Sequence, residues 1–291
     1  MSVHLVGGGR DLELATTVYG PFVRQSCERA TVAGRAIPRI AVVVVAESED
    51  LESAGDWFRQ ALARCGRADV VAVTAESEGV LALADGSAPT RAWWAELDGL
   101  LVGGGLTSHY HRVLLPYADA VRAAVAGGLP YAGFSAGAMI APQRALLGGW
   151  RLGSTAVTHE DNAEDLDQIT VVDGLGLASS AVDVHTSQWG TLSRLVAVVA
   201  AGEVTSGIAV DENTVVILDP GTDGPTPDGG TGGVEVLGTG QAWFLTADDG
   251  AVRVDRREPG RTPKGLPASG LDVPRIGGTG SHPSGFRSDP D

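Results

Sequence analysis

Ser135 lies in Gly133-Phe134-Ser135-Ala136-Gly137-Ala138, a G-x-S-x-G sequence that follows an apolar run at 129–134 and precedes a stretch of helical spacing. A hydroxyl in that setting has a chemical use. A sharp strand-to-helix turn admits only small neighbours, lifts the serine above the sheet edge and leaves the next N–H, that of Ala136, at a helix N-terminus facing a developing oxyanion. A tight structural turn is the plain alternative. A nucleophilic serine needs a base, and the chain offers His4, His109, His111, His159, His185 and His282. His4 belongs to the first predicted strand and His282 to a C-terminal tail. His109 and His111 flank Tyr110, but no further ligand pattern supports a metal there, so they are read as surface or substrate-contacting groups near a cleft mouth. His185 ends an apolar strand, the rigid support an imidazole base requires. The carboxylate that would orient it is expected in the acidic cluster 159–167, most of which must be solvated loop; Glu160, Asp161 and Glu164 stay open.

These groups need elements to hold them. Short β-branched runs alternate with longer stretches of helical spacing through the first two-thirds of the chain, the pattern of parallel strands joined by crossover helices. Val3–Val6 reads as a strand broken by Gly7-Gly8-Gly9. Residues 40–46 lack polar alternation and read as a strand buried on both faces. A helix is expected over Leu51–Cys65, then strands at 69–74, 97–102 and 129–134, with Tyr117, Val121 and Val125 marking a helix between the last two. The turn Gly103-Gly104-Gly105 lacks the spacing of a phosphate loop and would instead bring a second N–H to the oxyanion. Later strands are expected at 168–172, Ala181–Val184, 207–211, Thr214–Leu218, 241–245 and 251–255, with a Gly/Pro/Asp/Thr loop at 221–233. The expected organisation is one α/β domain over residues 1–258 and a disordered tail over 259–291.

Composition removes other classes. With 36 acidic against 21 basic residues the net charge is −15, and no Lys/Arg cluster could neutralise phosphates, so nucleic-acid binding is not expected. The run at 40–46 is far short of the roughly 20 apolar residues that span a bilayer, so no membrane association is expected. The two cysteines, Cys27 and Cys65, form no metal or disulfide framework. No basic segment precedes an apolar one at the N-terminus, so a cytoplasmic location is expected.

Five segments in order resemble the serine peptidase family that contains cyanophycinase and dipeptidase E. They are Val102-Gly103-Gly104-Gly105, Gly133–Ala138, Gly174-Leu175-Gly176, Asp183-Val184-His185 with Arg194-Leu195, and Gly207 through Thr214, together covering roughly residues 3 to 220. The resemblance implies a flavodoxin-like α/β fold, a mostly parallel central sheet flanked by helices with additional C-terminal strands, akin to class I glutamine amidotransferases. It implies a serine, acid, histidine triad in that chain order. Ser135 matches the nucleophile and His185 the base; the acid falls near Glu160 or Asp161, with Glu160 favoured. Gly104 or Gly105 and Ala136 match the oxyanion donors, and Thr107, Gln188 and Arg194 match substrate contacts. Asp211 and Glu212 match a motif to which a structural role is assigned. No cofactor is implied. The implied substrate is a small peptide, aspartyl or isoaspartyl in the family, and a homodimer is compatible with the fold. The chain departs from the pattern at Leu106, Val184 and Thr186, and Trp189 and Thr191 stand where relatives carry arginines, so the pocket is expected to differ. Two other readings compete: a non-catalytic amidotransferase-like binding module, and an α/β-hydrolase esterase, whose histidine would come much later in the chain.

Overall fold

Arg39–Val45 shows why this chain builds a sheet covered on both sides. Ala41, Val43 and Val45 point into one apolar cluster and Ile40, Val42 and Val44 into the other, as period-two geometry requires of a strand with no polar face. The computed structural model describes residues 2–47, 49–219 and 233–260. Within them the major strands are β1 (Val3–Val6), β2 (Arg39–Val45), β3 (Asp69–Ala75), β4 (Gly99–Val102), β5 (Tyr131–Phe134), β6 (Ala181–Val184), β7 (Ser206–Val210), β8 (Thr214–Leu218), β9 (Val234–Gly238), β10 (Ala242–Asp248) and β11 (Ala251–Arg257). The first sheet has seven strands in the order β9-β8-β1-β5-β4-β2-β3. Strands β1, β5, β4, β2 and β3 run parallel; at one edge β8 is added antiparallel to β1, and β9 antiparallel to β8. The order β3-β2-β4-β5 is the 2-1-3-4 arrangement of flavodoxin-like sheets, with the N-terminal strand filling the fifth place.

Helices cover both faces. Helix α1 (Gly20–Val32) and α2 (Leu51–Cys65) bury Phe22, Val23, Phe58 and Leu62 in the cluster containing Val42 and Phe134. Helices α3 (Thr107–Leu114), α4 (Ala118–Ala126) and α5 (Ala136–Ile140) lie against the other face with Val113, Val121 and Met139 in its cluster. A second sheet, β6-β7-β10-β11, pairs β6 and β7 in parallel and carries α6 (Leu192–Ala200) against it.

The α2 boundaries coincide with those expected from periodicity. The strand read at 168–172 begins later, at Thr170–Asp173, where it pairs with Arg144–Gly148. Helix α1 and strand β9 were not anticipated. The loop read at 221–233 falls almost entirely, and the tail read at 259–291 from residue 261 on, outside the described residues. Among the described residues no helix is long and apolar enough to cross a membrane.

Candidate active site

Three neighbouring parallel strands end in short glycine-bearing turns on one edge: β1 at Gly7–Gly9, β4 at Gly103–Gly105, and β5 at Ser135. Open α/β sheets place their ligands outside the carboxyl ends of such strands. The Ser135 turn is strained, with φ 51° and ψ −110°, a region that non-glycine residues seldom enter. Its glycines are sterically required. A Cβ on Gly133 would come 2.4 Å from the backbone of Gly137, and one on Gly137 would come 2.3 Å from the Val102 carbonyl oxygen. That crowding ties β5, α5 and the end of β4 together, and the Gly137 N–H donates to the Gly103 carbonyl at 3.0 Å.

His185 arrives from the second sheet. It follows β6 with left-handed backbone, φ 52° and ψ 34°, and its N–H donates to the Gly7 carbonyl at 2.9 Å. Gly8 admits the ring: a Cβ there would lie 2.1 Å from the imidazole Cε1, and φ is +101°. The ring is thereby set with Nε2 2.9 Å from Ser135 Oγ. On its other side, Nδ1 lies 2.7 Å from Glu212 Oε1. Glu212 follows β7, and the parallel register Val184↔Val210 places the residues after the two strands side by side. Asp211 secures this turn by accepting from the Ser187 N–H at 2.7 Å and the Gln241 N–H at 2.9 Å.

The order of the three groups along the chain is therefore serine, histidine, glutamate. Glu160, favoured from the sequence as the carboxylate on the imidazole, is exposed in the short turn Glu160–Asn162 on the cleft wall; the position on Nδ1 is filled by Glu212. Asp161 and Glu164 also line that wall without reaching the ring. Glu164 instead accepts from the Thr107 N–H at 3.0 Å, and burial raises its carboxyl above the ordinary value, an effect that this N–H opposes.

Electrostatics favours a neutral imidazole at rest. Burial pulls the His185 pKa below the ordinary 6.5, and the hydrogen bond and charge of Glu212 oppose it. A hydroxyl, a neutral imidazole and a carboxylate joined in this way can move the hydroxyl proton onto Nε2 and stabilise the resulting cation. The N–H groups of Gly104, Gly105 and Ala136 donate to no protein acceptor among the described residues, so they are free to face an anion beside Ser135.

The three expected substrate contacts are placed elsewhere. The Arg194 side chain is 1% exposed and meets the fully buried Asp183 through two hydrogen bonds of 2.8 and 2.7 Å. Its remaining Nη1 donates to the Asn162 carbonyl at 2.6 Å, which pins the acidic loop to α6. Thr107 is buried, its hydroxyl donating to the Met139 sulfur at 3.5 Å. Gln188 is exposed and accepts from the Glu212 N–H at 3.0 Å, so it holds the glutamate's backbone. None of the three lines the cleft. His109 and His111 lie on α3, away from the cleft lining, with His111 bonded to the Asp173 carbonyl. Arg194→Met strands a buried carboxylate and is expected to destabilise the protein by about 3–5 kcal/mol, whereas Arg194→Met with Asp183→Leu recovers most of that. Chemical denaturation of the two variants checks the prediction.

Ser135, His185 and Glu212 open into a cleft of about 910 Å³. Its lining carries six carboxylates, Glu160, Asp161, Glu164, Asp165, Asp167 and Glu212, and one guanidinium, Arg10.

Residues 93–222 match the model of peptidase family S51, a segment that contains Ser135, His185 and Glu212. The solved structure of a peptidase from an acI-B1 actinobacterium superposes with TM-score 0.59 at 17% identity, covering 89% of this chain and 95% of the other. A candidate peptidase E from Listeria monocytogenes EGD-e gives 0.47 at 12% identity, over 82% and 98% of the two chains. No curated protein matches the sequence. Over residues 93–222, somewhat under half of the chain, the sequence is thus similar to peptidase family S51.

Proposed function

We propose that this protein hydrolyses a peptide bond of a small peptide through an acyl-enzyme on Ser135. The observation that carries the reading is the continuous line from Ser135 Oγ through His185 to Glu212, 2.9 and 2.7 Å, at the floor of the cleft. In the first half-reaction Ser135 Oγ attacks the scissile carbonyl carbon while its proton passes to His185 Nε2. The tetrahedral oxyanion is met by the N–H groups of Ala136 and of Gly104 or Gly105. Collapse breaks the C–N bond, and His185 returns the proton to the leaving amine. A water molecule, deprotonated by the same imidazole, then attacks the ester, releasing the carboxylic acid and restoring the serine. Glu212 holds the ring and balances the imidazolium. No step calls for a cofactor.

The charge of the cleft bears on the substrate. Arg10 is the one cationic side chain among its lining residues, and the 160–167 wall is anionic, which opposes an acidic side chain on the substrate. An aspartyl preference therefore finds little support, while a short peptide fits the space. The test is a panel of aspartyl, isoaspartyl, neutral and basic dipeptides and tripeptides incubated with the full chain. Release of free amine from some members is expected, with aspartyl peptides not preferred; a chain that cleaves none of them contradicts the reading.

The pH profile follows from the site. The base must be neutral, and burial holds the His185 pKa below 6.5, so the acid limb of kcat/KM is expected to have its midpoint below 6.5. Activity persists as pH falls past the ordinary histidine value and is lost only through the depressed one. A midpoint above 6.5 contradicts this assignment.

A further inference from the structure

The exposed indole of Trp189 has no place in the core, yet its position is closely fixed. It is 44% exposed and lies parallel on the His185 ring, with centroids 3.9 Å apart and planes 9° from coplanar. Its backbone is held at both ends of the peptide unit: the N–H donates to the His185 carbonyl at 2.7 Å, and the carbonyl accepts from Asn162 Nδ2 at 2.6 Å. The imidazole is thus bounded by the indole face and, at Cε1, by the backbone of Gly8. Between those two contacts its ring nitrogens stay in line with Ser135 and Glu212.

An indole face attracts a cation, and more strongly where water is excluded. His185 is neutral at rest and becomes a cation only when it takes the hydroxyl proton, so the attraction grows along the reaction and acts on the transition state more than on the resting enzyme. The other groups bearing on the ring are Glu212 from the turn after β7, Asp183 on its own strand, Arg194 from α6, and Ser135.

Resting on the serine peptidase reading above, we propose that Trp189 is a positioning residue of the proton relay: its indole fixes the plane of the His185 imidazole and stabilises the imidazolium. The indole thereby does through a π-face what a further charged group would otherwise do. Its effect is on turnover, separate from any contact its outer face makes with the substrate.

The experiment compares wild type, Trp189→Phe and Trp189→Leu by pH-dependent kinetics on whichever peptide the wild type cleaves. Trp189→Leu is expected to move the acid limb of kcat/KM down by about half a unit to one and a half units. It should lower kcat by about 3- to 30-fold, with a smaller change in KM. Trp189→Phe keeps a ring on the imidazole and should restore most of both. A second arm needs no substrate. Tryptophan emission of the resting enzyme is titrated with acid, and the Trp189→Phe emission is subtracted. Protonation of a stacked imidazole should quench the difference signal with a midpoint below 6.5, and His185→Gln should abolish that midpoint. If Trp189→Leu raises KM alone, with kcat and the acid limb unmoved, the indole is only a wall of the cleft and the proposal fails. It fails equally if the emission midpoint survives in His185→Gln. A chain that cleaves no peptide yet shows the histidine-dependent quench would leave the stack in place and refute the peptidase reading instead.

Discussion

Ser135→Ala is expected to reduce kcat on any peptide the wild type cleaves by about 10⁵- to 10⁶-fold, the scale on which hydrolases of this kind depend on their nucleophile. The size follows from covalent chemistry. Without the hydroxyl no acyl-enzyme forms, and the remaining oxyanion donors and cleft can only assist direct attack by water. The substitution is otherwise mild. It keeps the Cβ that Gly104 accommodates and the backbone carbonyl that accepts from Ala138 and Met139 at 2.8 and 3.0 Å. The unfolding midpoint should therefore stay within experimental error of wild type. A loss of activity accompanied by a large loss of stability would mean that the turn, and not the hydroxyl, had been tested.

The second large effect separates two carboxylates. Glu212→Gln keeps the shape of the side chain beside Nδ1 but removes the charge that balances the imidazolium, and it can present an N–H where an acceptor is needed. A loss of about 10³- to 10⁴-fold in kcat is expected. Glu160→Gln, on the exposed cleft wall, should change kcat by less than about threefold, although it can alter KM through the charge of the cleft. Measuring both variants on one peptide decides the assignment, because the reverse ranking would return the orienting role to the 160–167 loop.

The contrast between those carboxylates marks what the sequence could and could not reveal. Ser135 was legible because its signal is local: two glycines, an apolar strand before and a helix after. His185 was legible because it ends a short, mostly apolar strand that holds it rigidly. Glu212 lies in a motif that reads as structural, since the chain order implied by the resemblance puts the acid between serine and histidine. What brings it to Nδ1 is the parallel pairing of β6 with β7, a tertiary relation that no window of residues contains. A signal was nevertheless present: two strands of one sheet, each ending in a polar residue suited to a site.

Arg194 differs from expectation for a similar reason. The resemblance implies a substrate contact at Arg194, whereas a charge on the buried face of the helix Leu192–Ala200 has to find a buried partner, and Asp183 on β6 supplies it. Elements followed the same rule. Leu51–Cys65 was set by its own periodicity. Helix α1, with Gly-Pro at its start and polar residues interspersed, and the edge strand β9, with Glu235 as its second residue, carry weak patterns that packing against the sheet overrides.

The most direct test of the account is a single covalent reaction. The purified chain is treated with a fluorophosphonate at neutral pH, digested and mapped by mass spectrometry. One adduct is expected, on Ser135, absent from Ser135→Ala and strongly reduced in His185→Gln. Phosphonylation at any other residue, or an unmodified Ser135 in a preparation that hydrolyses peptides, would contradict the nucleophile on which the mechanism is built.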